Sequence, residues 1–293
     1  QADLRKHKLV ARYLYEHSFL ASIQLDDQSK SFFRMIRSST SCASPQIINT
    51  PRPNDDPPGV KKDQIFYCIT RIKEDQAQKS LLPIVMTEKL FSRIEELFFT
   101  SVDWDVEELP DYSPTISQNP FKTFKEIPVR SRYQFLLDSA QYHVNTFIRG
   151  PVCFGSGAVN VITEQFYVMF IKPDSDPLVR SDFHDLATQV PSATTQALSA
   201  YNYNDKTAPL LGLPAIWGSD IEVFETIEKD IAMTKSRNEY IGIKGDFVKT
   251  FRKDGLRLSD IWDGEGRNKN ALLTVFRHND TSSVHYGAVG DTS

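Results

Sequence analysis

The side chains with most chemistry in prospect are Arg149 and Cys153. Arg149 and Cys153 flank the Gly150-Pro151 step, and Cys153 opens a small-residue run, Cys-Phe-Gly-Ser-Gly. A thiol just past a helix C-terminus sits at the negative end of the dipole, which raises its pKa and disfavours the attacking thiolate. No histidine lies within a few residues of Cys153 to serve as a base. The competing reading is a small buried side chain in a tight loop. Arg130, Arg132, Arg149 and Arg277 offer planar forks for an anionic group, or else surface ion pairs. Phe147, Phe154, Phe166, Phe170 and Phe276 suit an apolar tunnel or an ordinary core.

Histidine spacing is less informative. His7 and His17 are separated by ~15 Å if they share one helix, too far to hold a single metal together. His17 falls on an apolar helical stripe and His143 flanks another, where a hydrogen-bonded core role competes with a ligand role. The loop Trp262 to Asn268 is acidic and glycine-bearing, but Arg267 and Asn268 break the calcium-loop pattern. It reads as a turn into the next strand. Neither G-x-x-x-x-G-K-[ST] nor G-x-S-x-G occurs, which weighs against nucleotide hydrolysis and esterase chemistry. Cys42, Cys68 and Cys153 form no C-x-x-C or metal-ligand cluster. Three cysteines cannot all pair internally, and their spacing does not favour a dense disulfide framework.

The elements that must position these residues are legible in part. Ser131 with Gln134 reads as a capping box for a central helix over 132–149. Tyr133, Leu136, Leu137, Ala140, Val144, Phe147 and Ile148 form its apolar stripe. Gly150 and Pro151 end it. Periodicity predicts a first helix over 4–23, with Val10, Tyr13, Leu14, His17 and Ala21 on one face. Strands are expected over 32–36, 65–72 and 165–171, and a helix over 87–98 capped by Thr87. Prolines make 45–59 a loop and 109–128 an irregular connector. A linker-like excursion over 191–214 leads to a helix from Ser219 to about Arg237. Two strands, 272–278 and 283–286, are joined by a turn.

This pattern predicts a helix-rich α+β fold with short, mainly antiparallel strands. It divides into a core segment, 1–190, the excursion 191–214, and a helix plus strand pair over 215–293. The net charge of −4 and the lack of a Lys/Arg-rich run give no nucleic-acid surface. No apolar stretch approaches the length of a membrane span.

The run RSRYQFLLDSAQ…FI-R-GPVC-x-G…NVI resembles the central part of the bacterial fatty acid cis/trans isomerases. RKHKLVARYLYEHSFLA, FFRMIRSS and RPNDDPPGV near the start, and DIWDGEGRNKNALLTVFRHNDTSSV near the end, agree with it in order. The resemblance implies isomerisation of unsaturated fatty acids without movement of the double bond, assisted by haem c. It implies a periplasmic address with peripheral membrane contact. Its C-x-x-C-H attachment motif is absent here, and the chain reads as a fragment of a longer protein. Arg149, Cys153 and His278 then become catalytic candidates. Arg132, Tyr133, Phe154, Asn160 and Arg277 become substrate contacts, and His17 and His143 candidate axial ligands. Phe154 and Ser156 stand where the family usually has arginine and glutamine. A non-catalytic lipid- or haem-binding module of the same fold is the alternative.

Overall fold

The computed structural model describes residues 2–25, 31–72, 83–117, 119–149, 164–189, 242–243, 245–255, 257–262, 271–278 and 281–289. Helix α1, Ala2–His17, inserts Leu9, Val10 and Tyr13 into the main core. It stops six residues before the expected end. Ser18 folds back on Leu14, its amide at 2.9 Å and its hydroxyl at 2.5 Å from the Leu14 carbonyl oxygen. The chain beyond is then drawn into a sheet as β1, Ser22–Gln24. Pairing with two neighbours overrides helical periodicity in this segment, since each strand residue gains ladder bonds that a frayed helix end lacks.

The first sheet has the order β3-β2-β1-β4, where β2 is Phe33–Ser38, β3 is Phe66–Arg71 and β4 is Pro83–Val85. Only the β1–β4 pair is parallel. A disulfide joins Cys42, in the loop after β2, to Cys68 in β3. Sequence spacing alone gave no reason to expect that bridge. Thr87 caps α2, Glu88–Glu95, by accepting from the Leu90 amide at 3.3 Å, as expected. A wider helical turn, Glu96–Thr100, continues α2 and buries Leu97 and Phe98.

The proline-rich connector contains two short helices, α3, Pro114–Ser117, and α4, Pro120–Thr123. Asn119 caps the second, and Pro120 occupies the first helical position, where its missing N–H is harmless.

The expected central helix is two helices. α5, Val129–Asp138, and α6, Ala140–Arg149, meet at Ser139. The Ser139 hydroxyl bonds the Phe135 carbonyl at 2.5 Å, a back-bond that competes with the helical ladder and bends it. The capping box does not form either. The helix begins at Val129 behind Pro128, Ser131 is buried within it, and the Gln134 amide donates to Asp138 at 2.8 Å. Phe135, off the expected stripe, enters the main core, whereas Tyr133 and Leu136 are only partly buried.

The second sheet is antiparallel throughout. β5, Glu164–Met169, pairs with β6, Leu272–His278, which pairs with β7, Thr281–Tyr286. The expected strand pair therefore gains a third strand from far upstream. α6 lies on β7, with the Gln141 amide donating to the Val284 carbonyl at 2.8 Å. Ala140, Leu273, Val275 and Val284 close the apolar layer between them. The fold is α+β, helix-rich, with short and mainly antiparallel strands. Segments 191–214 and 219–237 lie outside the described residues. Among those described, no helix is long and apolar enough to cross a membrane.

Candidate functional site

The end of α1 and the start of α6 bring His17 and His143 together, their ring centroids 6.3 Å apart and nearly perpendicular. Aromatic rings surround the pair. Tyr13 lies 4.0 Å from His17, Phe124 lies 5.8 Å from it, and Phe135 and Tyr142 lie 5.9 and 5.2 Å from His143. Such surroundings penalise an imidazolium. Burial lowers the His17 pKa to about 4, with the Arg132 charge adding to the fall and the Tyr13 backbone bond opposing it. Burial and the neighbouring His17 lower His143 to about 3. Both rings are therefore neutral at pH 7.

The tautomer of His17 follows from one contact. Its Nδ1 lies 2.8 Å from the Tyr13 carbonyl oxygen, which can only accept. Nδ1 therefore carries the proton, and in the neutral ring Nε2 carries the lone pair. A third histidine, His184, donates through Nε2 to the Leu178 carbonyl at 2.9 Å, and burial lowers its pKa to about 4.

Arg132 underlies this group. It is buried, its Nε donates to the Ile127 carbonyl at 3.0 Å, and its own carbonyl accepts from the Tyr13 hydroxyl at 3.2 Å. Burial lowers its pKa to about 10, so it remains charged at neutral pH. Tyr133 points elsewhere, its hydroxyl 2.9 Å from an Asp176 carboxylate oxygen and 3.1 Å from the Ile171 carbonyl. Burial and the Asp176 charge raise its pKa well above the usual phenol range. Arg130 forms an exposed ion pair with Asp174 at 2.5 Å.

A family model for fatty acid cis/trans isomerases matches residues 1–293, the whole chain.

The chain belongs to the fatty acid cis/trans isomerase family.

No curated protein and no solved structure matches it. Within this family member, the remaining candidates divide by position. Arg149 is the last residue of α6. Arg277 pairs with Glu164 across β5 and β6, and His278 pairs with Thr281 across the β6–β7 turn. Cys153, Phe154 and Asn160 lie outside the described residues. His17, His143 and Arg132 are thus brought together around Tyr13, while Tyr133 is turned toward Asp176.

Two features of the isomerase chain bear on haem. Iron takes an imidazole through a lone pair, and neutral His17 and His143 suit that role by their donor chemistry. Covalent attachment does not fit the cysteines described, because Cys42 and Cys68 are bonded to each other and no C-x-x-C-H occurs in the sequence. Among the described residues no cluster of three or more His, Cys, Asp or Glu could hold a bare metal ion.

Sequence reasoning passed over a second polar group. Arg12, Glu16, Arg37, Tyr67 and Tyr112 gather beside α1, with Arg12 and Arg37 at 3% and 0% exposure. The Arg12 guanidinium stacks 3.8 Å from the Tyr112 ring centre. The one available signal was the i,i+4 spacing of Arg12 and Glu16, which on most helices marks only a solvated ion pair.

Proposed function

We propose that this chain works in the conversion of cis-unsaturated fatty acids to their trans isomers, without double-bond migration, in a protein that carries haem c in the periplasm. The observation that carries the reading is the family match over residues 1–293. Rotation about an isolated double bond requires its π bond to be weakened, which acid–base side chains do poorly. Haem, when bound, supplies one-electron chemistry for that step. His17 supplies an Nε2 lone pair, held in one tautomer by the Tyr13 carbonyl. The aromatic surroundings of His17 and His143 keep both rings neutral. Arg149, Cys153 and His278 are the proposed reactive-site residues, with Phe154, Asn160 and Arg277 as proposed substrate contacts. The Cys42–Cys68 disulfide supports the periplasmic address, since such bonds persist in oxidising compartments. Fatty acids released from membrane lipids make peripheral membrane contact part of the reading.

The test uses the complete protein with its haem, oleate as substrate, and gas chromatography of the trans product. His17→Ala or His143→Ala, whichever removes the ligand, is expected to shift the Soret band and lower turnover at least about tenfold. Undiminished turnover by the haem-free complete protein would overturn the haem reading.

A further inference from the structure

Four arginines are buried among the described residues: Arg12, Arg37, Arg52 and Arg132. Three of them are matched within the chain. Arg12 pairs with Glu16 and Arg52 with Asp55, each at 2.7 Å, and Arg37 donates to the Asp55 carbonyl and the Thr50 hydroxyl. Arg132 differs. At 7% exposure it forms no ion pair with a described carboxylate, and only its Nε is satisfied, by the Ile127 carbonyl at 3.0 Å. Its Nη1 and Nη2 meet no acceptor among the described residues, yet they are not sealed from solvent as Nη2 of Arg12 is. A cation taken this far out of water is costly to leave unpaired, which gives Arg132 a use for an anion from outside the chain.

The same place carries further unmet donors. The Ile127 carbonyl lies directly before Pro128 at the head of α5, so the Arg132 guanidinium doubles back beside the first turn of its own helix. That turn has no acidic residue and no side-chain cap. The amides of Val129, Arg130 and Ser131 therefore remain the orphan N–H groups of a helix N-terminus, at the positive end of its dipole. Ser131 is 3% exposed, and its hydroxyl, which forms no capping box, meets no partner among the described residues. The acids around this turn are engaged: Asp174 holds Arg130 at 2.5 Å, Glu126 holds Lys125 at 3.2 Å, and Asp176 accepts from the Tyr133 hydroxyl at 2.9 Å. The rings that feel the Arg132 charge, His17 and His184, are neutral and supply no counter-charge. Pro128 and Val129 are half-buried and Arg130 is exposed, so this end of the helix is reached from solvent.

We infer that the head of α5 is a carboxylate site, with Arg132 Nη1 and Nη2 as its charged fork and the Ser131 hydroxyl and first-turn amides as flanking donors. Charge decides the class of anion. Arg130 is balanced by Asp174, which leaves Arg132 as the uncompensated cation of this turn, and a monoanion neutralises it. A planar carboxylate also fits a guanidinium fork through two parallel bonds. A phosphate dianion would leave a net negative charge beside Asp174 and Glu126. That the carboxylate is the head of a fatty acid rests on the fatty acid reading above; a small monocarboxylate presents the same group. The site anchors a head group, and the rest of the ligand leaves by the open side at Pro128 and Val129.

The experiment follows binding of oleate, oleate methyl ester, acetate and inorganic phosphate to the complete protein, by calorimetry and thermal unfolding, in the parent and in Arg132→Gln and Ser131→Ala variants. The parent is expected to bind oleate about tenfold more tightly than the methyl ester, as befits one charge-assisted interaction. Each variant is expected to lose about tenfold in oleate affinity while its affinity for the ester stays unchanged. Acetate is expected to raise the midpoint of thermal unfolding in the parent and to leave that of Arg132→Gln unmoved, since a ligand stabilises only the fold that binds it. If Arg132→Gln does not fold by circular dichroism, Ser131→Ala carries the test, because it removes one hydroxyl and no charge. Oleate and acetate affinities that are the same in parent and variants would overturn the site. Acetate binding as tightly as oleate would overturn the fatty acid as the source and uphold the carboxylate. Phosphate binding more tightly than acetate would overturn the carboxylate itself. Turnover of oleate by the parent, read by gas chromatography, decides the isomerase reading separately, so failure of the site and failure of that reading are told apart.

Discussion

His17 and His143 sit among aromatic rings that hold both imidazoles neutral, with pKa values near 4 and near 3 against an ordinary 6.5. The unfolded chain takes up protons through pH 6.5 while the folded chain does not until much lower pH. Stability contributed by the neutral rings is therefore complete above pH 6.5 and is lost as pH falls toward 4. For His17 alone the loss across that window is on the order of 3 kcal/mol. Urea denaturation at pH 7 and at pH 4.5 measures it, and His17→Asn is expected to reduce the difference. A pH dependence identical in the variant would assign the effect to other groups. Of the residues singled out in the sequence, these two histidines were legible as residues on apolar faces, but nothing in their spacing announced that they would meet. They are 126 positions apart, and proximity came from the approach of the end of α1 to the first turn of α6. Arg12 was not singled out, because an i,i+4 Arg–Glu spacing is the same for a buried pair as for a solvated one.

At the scale of elements, the joint between α6 and the second sheet is where local and distant sequence meet. Leu273 is fully buried in β6 and packs with Ala140, Val275 and Val284. Leu273→Ala should cost about 2–5 kcal/mol, because the cavity is bounded by a helix and two strands that cannot collapse independently. Chemical denaturation checks the value, and a change below 1 kcal/mol would mean that the layer relaxes around the cavity. The start of α2, marked by Thr87 alone, was read well, whereas the box expected at Ser131 and Gln134 did not mark the start of α5. Helix interiors were read less well. The break at Ser139 depends on a hydroxyl choosing the Phe135 carbonyl over solvent, and many serines on uninterrupted helices have that option. The end of α1 was overestimated because β1 acquires its partners, Phe33 and Pro83 to Val85, from elsewhere in the chain.

For the molecule as a whole, the Cys42–Cys68 bridge closes a loop with a sequence separation of 26 and ties the first sheet to its flanking loop. Replacing both cysteines by alanine is expected to lower stability by about 2–4 kcal/mol, on the chain-entropy account. Thermal unfolding with and without reductant gives the same comparison in the parent chain. Thiol titration in denaturant should find one reactive cysteine before reduction and all three afterwards; three before reduction would contradict the bridge. The sequence by itself determined the α+β class, the Thr87 cap, the β6–β7 hairpin and, through motifs spread along nearly its whole length, the isomerase family. These are properties written in short windows or in residue order, where neighbours along the chain suffice. Tertiary structure alone decided the pairing of Cys42 with Cys68, the addition of β5 to the hairpin, the meeting of His17 with His143, and the burial of Arg12 against Tyr112. Each joins segments separated by long stretches of chain, so its energy comes from burial, desolvation and ladder bonds that exist only after the chain has closed on itself.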